Sequence, residues 1–145
     1  MQLSIARADD PRAAGRQIGE LLNRFNEQAV GGQAVERFAL TVKAPGSDEI
    51  LGGLSAMSYW GSFYISDLVA PETARGQGLG AELMRLAEQE ARARGCLHMW
   101  LDTFEFQARS FYERLGFKVF GQLDGLAPFF PRYFMKKTLE PLRSS

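Results

Sequence analysis

Three glycines at alternate positions, Gly76, Gly78 and Gly80, stand where a helical pattern begins. Glycine is the least favoured ordinary residue inside a helix, so this clustering needs a reason. The first N–H groups of a helix lack partners, and the helix dipole places about half a positive charge there. Glycines let successive N–H groups converge on an anion, and Arg75 adds a cation beside them. The segment predicts an anion site; the alternative is a tight turn whose glycines allow a helix and a sheet to pack closely.

The elements that position these glycines follow from hydrophobic periodicity. Alternating patterns predict seven strands, at 2–8, 36–44, 50–61, 63–70, 96–104, 117–123 and 132–139. Helical spacing predicts three helices: 11–30 with Asp10 as its N-cap, 79–94 ended by Gly95, and 107–115 ended by Gly116. This order predicts an α+β domain. Its single mixed, mostly antiparallel central sheet should carry helices on both faces.

Composition bounds the class of protein. The chain has 145 residues, enough for one domain over 1–145. Its 17 basic and 17 acidic residues give no net charge that would favour nucleic acid or an anionic membrane as a partner. A single cysteine, Cys96, excludes an intrachain disulfide and suits a reducing compartment. The first residues lack a signal-peptide pattern, and no apolar run reaches the roughly 18 residues that span a bilayer. We therefore expect a cytoplasmic protein.

Two common phosphate-binding motifs do not match the glycine segment. A Walker loop needs Lys-Ser or Lys-Thr after its glycines, and neither follows here. A dinucleotide fold places its glycines after the first strand of a parallel unit, with a carboxylate about 20 positions further on. Here three predicted antiparallel strands come first, and residues 96–100, at the later position, carry no carboxylate.

Residues 75–80 and 106–121 form a pair of motifs with one predicted strand between them. The first reads R-G-Q-G-L-G, and the second has Ala108, Tyr112, Gly116 and Phe117 in the pattern A-x-x-x-Y-x-x-x-G-F. Both motifs and their separation resemble the GNAT superfamily of acetyl-CoA-dependent N-acetyltransferases, whose loop reads Q/R-x-x-G-x-G/A. The resemblance spans roughly residues 64–121 and implies the acyl-CoA N-acyltransferase fold.

The resemblance also implies an acetyl-CoA site made largely of backbone groups. In the family, N–H groups of the loop hold the pyrophosphate, a role that falls here to residues 76–81 with Arg75 at the mouth: Gly76, Gln77, Gly78, Leu79, Gly80 and Ala81. The preceding strand of the family is splayed from the next one and pairs with the pantetheine arm. That role falls to Leu68, Val69 and Ala70. Ala108 and Tyr112 of the second motif complete the cofactor-binding set.

The resemblance gives Tyr112 a catalytic role, as the general acid that protonates the departing thiolate. A phenol with a pKa near 10 is suited to this task, and the alternative is a core tyrosine on the inner face of a short helix. The general base is left open among Asp67, Asp102 and Glu105, all near predicted strand ends, and a base acting through water fits equally well. Glu105 stands where many family members carry an asparagine that contacts the pantetheine or the substrate, so this sequence departs from the family pattern there.

These expectations combine into one reaction, the direct transfer of an acetyl group from acetyl-CoA to a primary amine in a ternary complex, without a metal. A small-molecule amine is the expected acceptor. The alternatives are a protein N-terminus or lysine as acceptor, and a sensor that binds acyl-CoA without turnover. Members of such families often form dimers, so a homodimer is one assembly that the resemblance allows.

Overall fold

The computed structural model of the protein describes residues 1–32, 35–74, 76–104, 106–125 and 130–140, with the backbone alone at 106 and 107. Two compact units make up the chain, Met1–Val35 and Glu36–Ser145. Among the described residues, none of the helices combines the length and the hydrophobicity that crossing a bilayer requires.

The first unit contains one helix, α1, at Pro11–Val30. Its predicted start is confirmed: the Asp10 carboxylate accepts a hydrogen bond from the Ala13 N–H at 3.1 Å, and Pro11 is the first helical residue. The strand predicted at 2–8 is wrong, because residues 1–8 have no regular secondary structure and their apolar side chains are exposed. An alternation of two apolar residues does not form a strand without a neighbouring strand to bond its backbone.

The second unit is built on a six-stranded sheet, in the order β1-β2-β3-β4-β6-β5. The strands are β1 Glu36–Val42, β2 Gly52–Tyr59, β3 Ser62–Val69, β4 His98–Thr103, β5 Lys118–Leu123 and β6 Arg132–Thr138. Only the central pair, β3 and β4, is parallel. The remaining elements are a 3-10 turn at Glu72–Ala74, helix α2 at Leu79–Ala93 and helix α3 at Phe106–Arg114. The predicted mixed, mostly antiparallel sheet is thus confirmed.

The core of this unit lies where α2 packs against the middle of the sheet. Alternate residues of β2 and β3 are buried, as period-two strands require when one face is covered. Helix α2 contributes four buried side chains at helical spacing: Leu83, Met84, Ala87 and Ala91. The central strands are therefore fixed under α2, which also fixes the start of that helix relative to the end of β3.

Arg94, directly after α2, fastens the helix to the edge of the sheet. Its guanidinium donates to the Glu36 and Arg37 carbonyls and to the Ser58 hydroxyl, at 2.9, 3.2 and 2.9 Å. It also lies 5.5 and 5.6 Å from the centres of the Phe38 and Phe63 rings. With only 13% of its side chain exposed, Arg94 acts as a buried clamp between α2, β1 and β2.

Candidate active site

The two parallel strands separate halfway along their length. Pairing joins Ser62 to His98, Phe63 to Met99 and Tyr64 to Trp100, and it stops there although both strands continue. On its other side β3 stays paired with β2 as far as Val69. We call the opening between residues 65–69 of β3 and 101–103 of β4 the fork. Along the fork the backbone of β3 presents an edge that β4 does not occupy.

A β-bulge lies at the point where β3 leaves β4. Asp67 lies opposite Ser55 and Ile65 lies opposite Ala56, so Ser66 is an extra residue in β3. The Ser66 hydroxyl donates to the Ser55 carbonyl at 3.1 Å, and the Ser55 hydroxyl donates to Asp67 Oδ2 at 2.8 Å. Because a bulge bends its strand and increases the local twist, it accounts for the divergence of β3 from β4.

Two of the three glycines have a backbone conformation that favours glycine. Gly76 and Gly78 have φ of 82° and 75°, in the left-handed region, and a Cβ on either would meet nothing within 4 Å. Their need for glycine is conformational, and the space before them is open. A Cβ on Gly80 would lie 3.4 Å from Cζ of Phe111, an ordinary van der Waals distance, so the packing of α2 against α3 leaves room for a side-chain carbon at this position.

The start of α2 offers unpaired backbone donors. The first i to i−4 bond at this end runs from the Glu82 N–H to the Gly78 carbonyl at 3.0 Å, and no side chain caps the helix. The N–H groups of Gly80 and Ala81 make no hydrogen bond to any described residue. Arg75 lies outside the described residues. Donors at an uncapped helix start, with glycines before them, can bind a phosphate.

The predicted pantetheine-binding residues lie on the β3 arm of the fork. Leu68 and Val69 pair with Leu54 and Gly53 of β2 on one side, so the opposite backbone edge faces the fork. Ala70 follows the end of the strand. The chain then passes through the 3-10 turn at Glu72–Ala74 to the glycines. The open edge and the uncapped helix start are therefore consecutive along the chain.

Tyr112 lies in α3 and is 9% exposed. Its ring contacts those of Phe111 and Phe117, with centres 5.1 and 5.9 Å away, and Ala108, one turn earlier, packs against the same core. The hydroxyl makes no hydrogen bond to any described residue. Burial raises the pKa of Tyr112 to about 12. The phenol therefore keeps its proton throughout the neutral range.

The candidate bases have different surroundings. Asp102 accepts hydrogen bonds from the Tyr64 hydroxyl at 3.0 Å and from Arg132 Nε at 2.8 Å, and Arg132 Nη2 lies 2.6 Å from the same carboxylate. Asp67 is exposed, and among the described residues no cation pairs with it. Glu105 lies outside the described residues. Burial, and then the hydrogen bond to Asp102, raise the pKa of Tyr64.

The sequence interpretation missed Arg132, which the fold brings to Asp102 from 30 residues away. No spacing rule connects positions on β4 and β6 before their register is known. The sequence does indicate that Trp100 and Asp102 share one face of a strand, but the position of Tyr64 opposite Trp100 follows only from the register of β3 with β4. In the described ranges, no three His, Cys, Asp or Glu side chains are grouped as metal ligands would be.

Comparison with known proteins gives the family. Residues 24–117, more than half of the chain, match the model of the acetyltransferase (GNAT) family. An acetyltransferase of Agrobacterium fabrum is 40% identical over 80 residues, which cover 55% of this chain and 58% of that protein. The blasticidin-S acetyltransferase of Streptomyces morookaense is 33% identical over 92 residues, 63% of this chain and 68% of that one.

Comparison with solved structures also matches an acetyltransferase, over a larger part of the chain. A crystal structure assigned to an acetyltransferase of Agrobacterium tumefaciens has a TM-score of 0.82 with this structure at 29% identity, covering 96% of this chain and 100% of that one. The predicted acyl-CoA N-acyltransferase fold is thereby confirmed. The chain belongs to the acetyltransferase (GNAT) family.

Proposed function

We propose that the protein transfers an acetyl group from acetyl-CoA to a primary amine of a small molecule, directly and in a ternary complex. One observation carries the proposal: the open edge of β3 at the fork leads into the uncapped, glycine-flanked start of α2. A donor with an amide-bearing arm and a pyrophosphate needs these two features in this order. Membership of an acetyltransferase family supports the same donor.

Backbone groups of the described residues can bind both the pantetheine arm and the pyrophosphate of acetyl-CoA. The amides of the pantetheine arm would pair with the free edge of β3 as an added strand. The pyrophosphate would lie at the start of α2, where Gly76 and Gly78 leave room and the N–H groups of Gly80 and Ala81 are unpaired. Each hydrogen bond from such an N–H to a charged oxygen contributes about 1.5–3 kcal/mol.

Tyr112 has the properties that a general acid needs in this reaction. The acceptor nitrogen bonds to the acetyl carbonyl carbon while the bond from that carbon to sulfur breaks. Tyr112 gives its phenolic proton to the leaving sulfur, the nitrogen gives a proton to a base, and water later reprotonates the phenolate. With a pKa of about 12, Tyr112 is protonated at neutral pH but is a weak acid, so it gives up this proton only as negative charge develops on the leaving sulfur.

Asp67 is the base that the surroundings favour. A free primary amine has a pKa of about 10.4, so presenting its neutral form at pH 7 costs about 4.6 kcal/mol. The charge of Asp102 is already balanced by Arg132, whereas Asp67 is exposed on the β3 arm of the fork. We therefore assign proton removal to Asp67, acting directly or through a water molecule.

A small molecule is the favoured acceptor because a relative is named for acetylating one, blasticidin S. We propose that residues 1–145 form one acetyltransferase domain that acts in the cytoplasm. Its rival is a domain of the same fold that binds acetyl-CoA as a sensor. The rival predicts that added amines never accelerate the release of CoA.

The substitution Tyr112→Phe tests the chemical step. We expect kcat to fall by about 10²- to 10⁴-fold, the range for loss of a general acid, while the Kd for acetyl-CoA stays the same. The measurement is amine-dependent thiol release, with acetyl-CoA binding followed by calorimetry. Tyr59→Phe, at the far end of β2, is the control and should leave kcat unchanged. An unaltered kcat in Tyr112→Phe would assign Tyr112 to the core alone.

A further inference from the structure

A linked group of side chains lies on the sheet face opposite the one that α2 covers, at the closed end of the fork. The ring centres of Tyr64 and Trp100 lie 4.3 Å apart, at the last paired position of β3 and β4. The Tyr64 hydroxyl bonds to Asp102, which in turn holds Arg132 of β6. The connection runs from the β3 arm of the fork to Arg132, so Arg132 belongs to the surroundings of the fork.

Asp102 fixes the orientation of the Arg132 guanidinium but occupies only some of its hydrogen-bond donors. Its Nε and Nη2 both address the same carboxylate oxygen of Asp102, at 2.8 and 2.6 Å. The guanidinium carbon lies 5.1 Å from the ring centres of both Phe104 and Phe134. The two N–H groups of Nη1 make no hydrogen bond to any described residue, and 37% of the side chain is exposed. Such a guanidinium is already oriented and has donors left for an anion.

The polar groups around the fork complement an acceptor that carries both an ammonium and a carboxylate. Asp67 offers an unpaired carboxylate on the β3 arm, and Arg132 offers free N–H groups one strand beyond the β4 arm. The charges of Asp67 and Arg132 both act on the pKa of Tyr64, in opposite directions, which places all three groups in one neighbourhood. Asp67 and Arg132 lie on strands that are separated by β4, and two strand spacings amount to about 10 Å. This separation leaves room for an ammonium and a carboxylate joined through a single carbon, each at hydrogen-bond distance from its partner.

We propose that Arg132 binds the carboxylate of the acceptor, and that the acceptor is therefore an amino acid whose amine is acetylated. This inference rests on the proposed function and narrows its acceptor to amines that carry a carboxylate. Asp67 holds the amine end, and the rings beside Arg132 bound the space available to the side chain. A purely cationic amine would leave the Nη1 donors of Arg132 unused next to a positive charge.

The test compares amino acids with their carboxamides, which keep the amine and lose the anion. With acetyl-CoA as donor, thiol release is measured for the twenty protein amino acids, for the carboxamide of the best one, and for tyramine and spermidine. We expect kcat/KM to be about 10- to 100-fold higher for the acid than for its amide. Arg132→Met should abolish that preference by raising the KM for the acid, with the KM for acetyl-CoA unchanged.

Two further variants separate recognition from support of the fold. Arg132→Lys keeps a cation beside Asp102 but loses the planar guanidinium with its two-pronged donor geometry. This variant should therefore stay folded and lose most of the preference for the acid over its amide. Arg109→Met is the matched control: Arg109 is also ion-paired, to Glu113, and lies 4.7 Å from the Tyr133 ring. It should keep the wild-type ratio of acid to amide.

The possible outcomes distinguish this inference from the proposed function. Acetylation of tyramine or spermidine but of no amino acid would overturn the role of Arg132 and leave the proposed function standing. Equal rates with an acid and its amide in the wild type would overturn it too. Acetyl-CoA binding without thiol release for any amine would overturn the proposed function, and this inference with it.

Discussion

Gly78→Ala separates the two reasons for a glycine at the start of α2. Gly78 has φ of 75° and open space where a Cβ would lie, and Gly95, after the end of the same helix, has φ of 74° and the same open space. An alanine in the left-handed region costs roughly 1–2 kcal/mol at either position. Gly78→Ala and Gly95→Ala should therefore lower the free energy of unfolding by similar amounts, measured by urea denaturation.

Only Gly78→Ala should also weaken acetyl-CoA binding. The added Cβ would occupy the space in which a phosphate approaches the unpaired N–H groups of α2. Loss of one hydrogen bond to a charged oxygen, about 1.5–3 kcal/mol, corresponds to a 10- to 150-fold rise in Kd. Calorimetry with acetyl-CoA and with dephospho-CoA, which keeps the pyrophosphate, should give the same rise for both ligands. Equal affinities in Gly78→Ala and Gly95→Ala would refute the pyrophosphate site.

Two further predictions concern stability. Because burial raises the pKa of Tyr112 from 10.0 to about 12, the folded state holds this proton more tightly than the unfolded state. The wild type should therefore lose about 2–3 kcal/mol between pH 10 and pH 12 that Tyr112→Phe retains, and parallel curves of unfolding free energy against pH would contradict this. Arg94→Ala leaves two strand carbonyls without their donor and should cost about 1–3 kcal/mol. Arg85→Ala, at an exposed ion pair with Glu82, should leave the urea midpoint nearly unchanged, so similar midpoints for the two arginine variants would refute the clamp.

Local patterns predicted most of the fold. The Asp10 cap and Pro11 define the start of α1, and the β2 and β3 alternations survive as buried and exposed positions in the sheet. Gly76 and Gly78 also lie directly before α2 as predicted, and Gly80 is the second residue of that helix. These features depend on residues close together in sequence, so a single chain is enough to read them. The strand predicted at 2–8 failed because its existence depends on a neighbour that local alternation does not supply.

The details of the site depend on contacts that are distant in sequence. The end of the β3–β4 pairing after Tyr64 follows from a bulge whose partner, Ser55, lies on β2. The neutralisation of Asp102 follows from Arg132, 30 residues later. The sequence pattern did not distinguish the candidate bases Asp67, Asp102 and Glu105 from one another. The structure distinguishes Asp102 from Asp67 because Asp102 is paired with Arg132. The sequence alone therefore predicts the glycine segment and Tyr112 as parts of the site but could not rank the bases.

Amine-dependent release of CoA is the decisive test of whether the protein is an acetyltransferase. The wild-type protein is mixed with acetyl-CoA and each amine in turn, free thiol is followed continuously, and the acetylated product is identified by mass spectrometry. We predict thiol release that requires the amine, matches the product mole for mole, and gives intersecting initial-rate lines as a ternary complex does. Tight binding of acetyl-CoA with no amine-dependent release would contradict the account and leave a binding domain of the same fold.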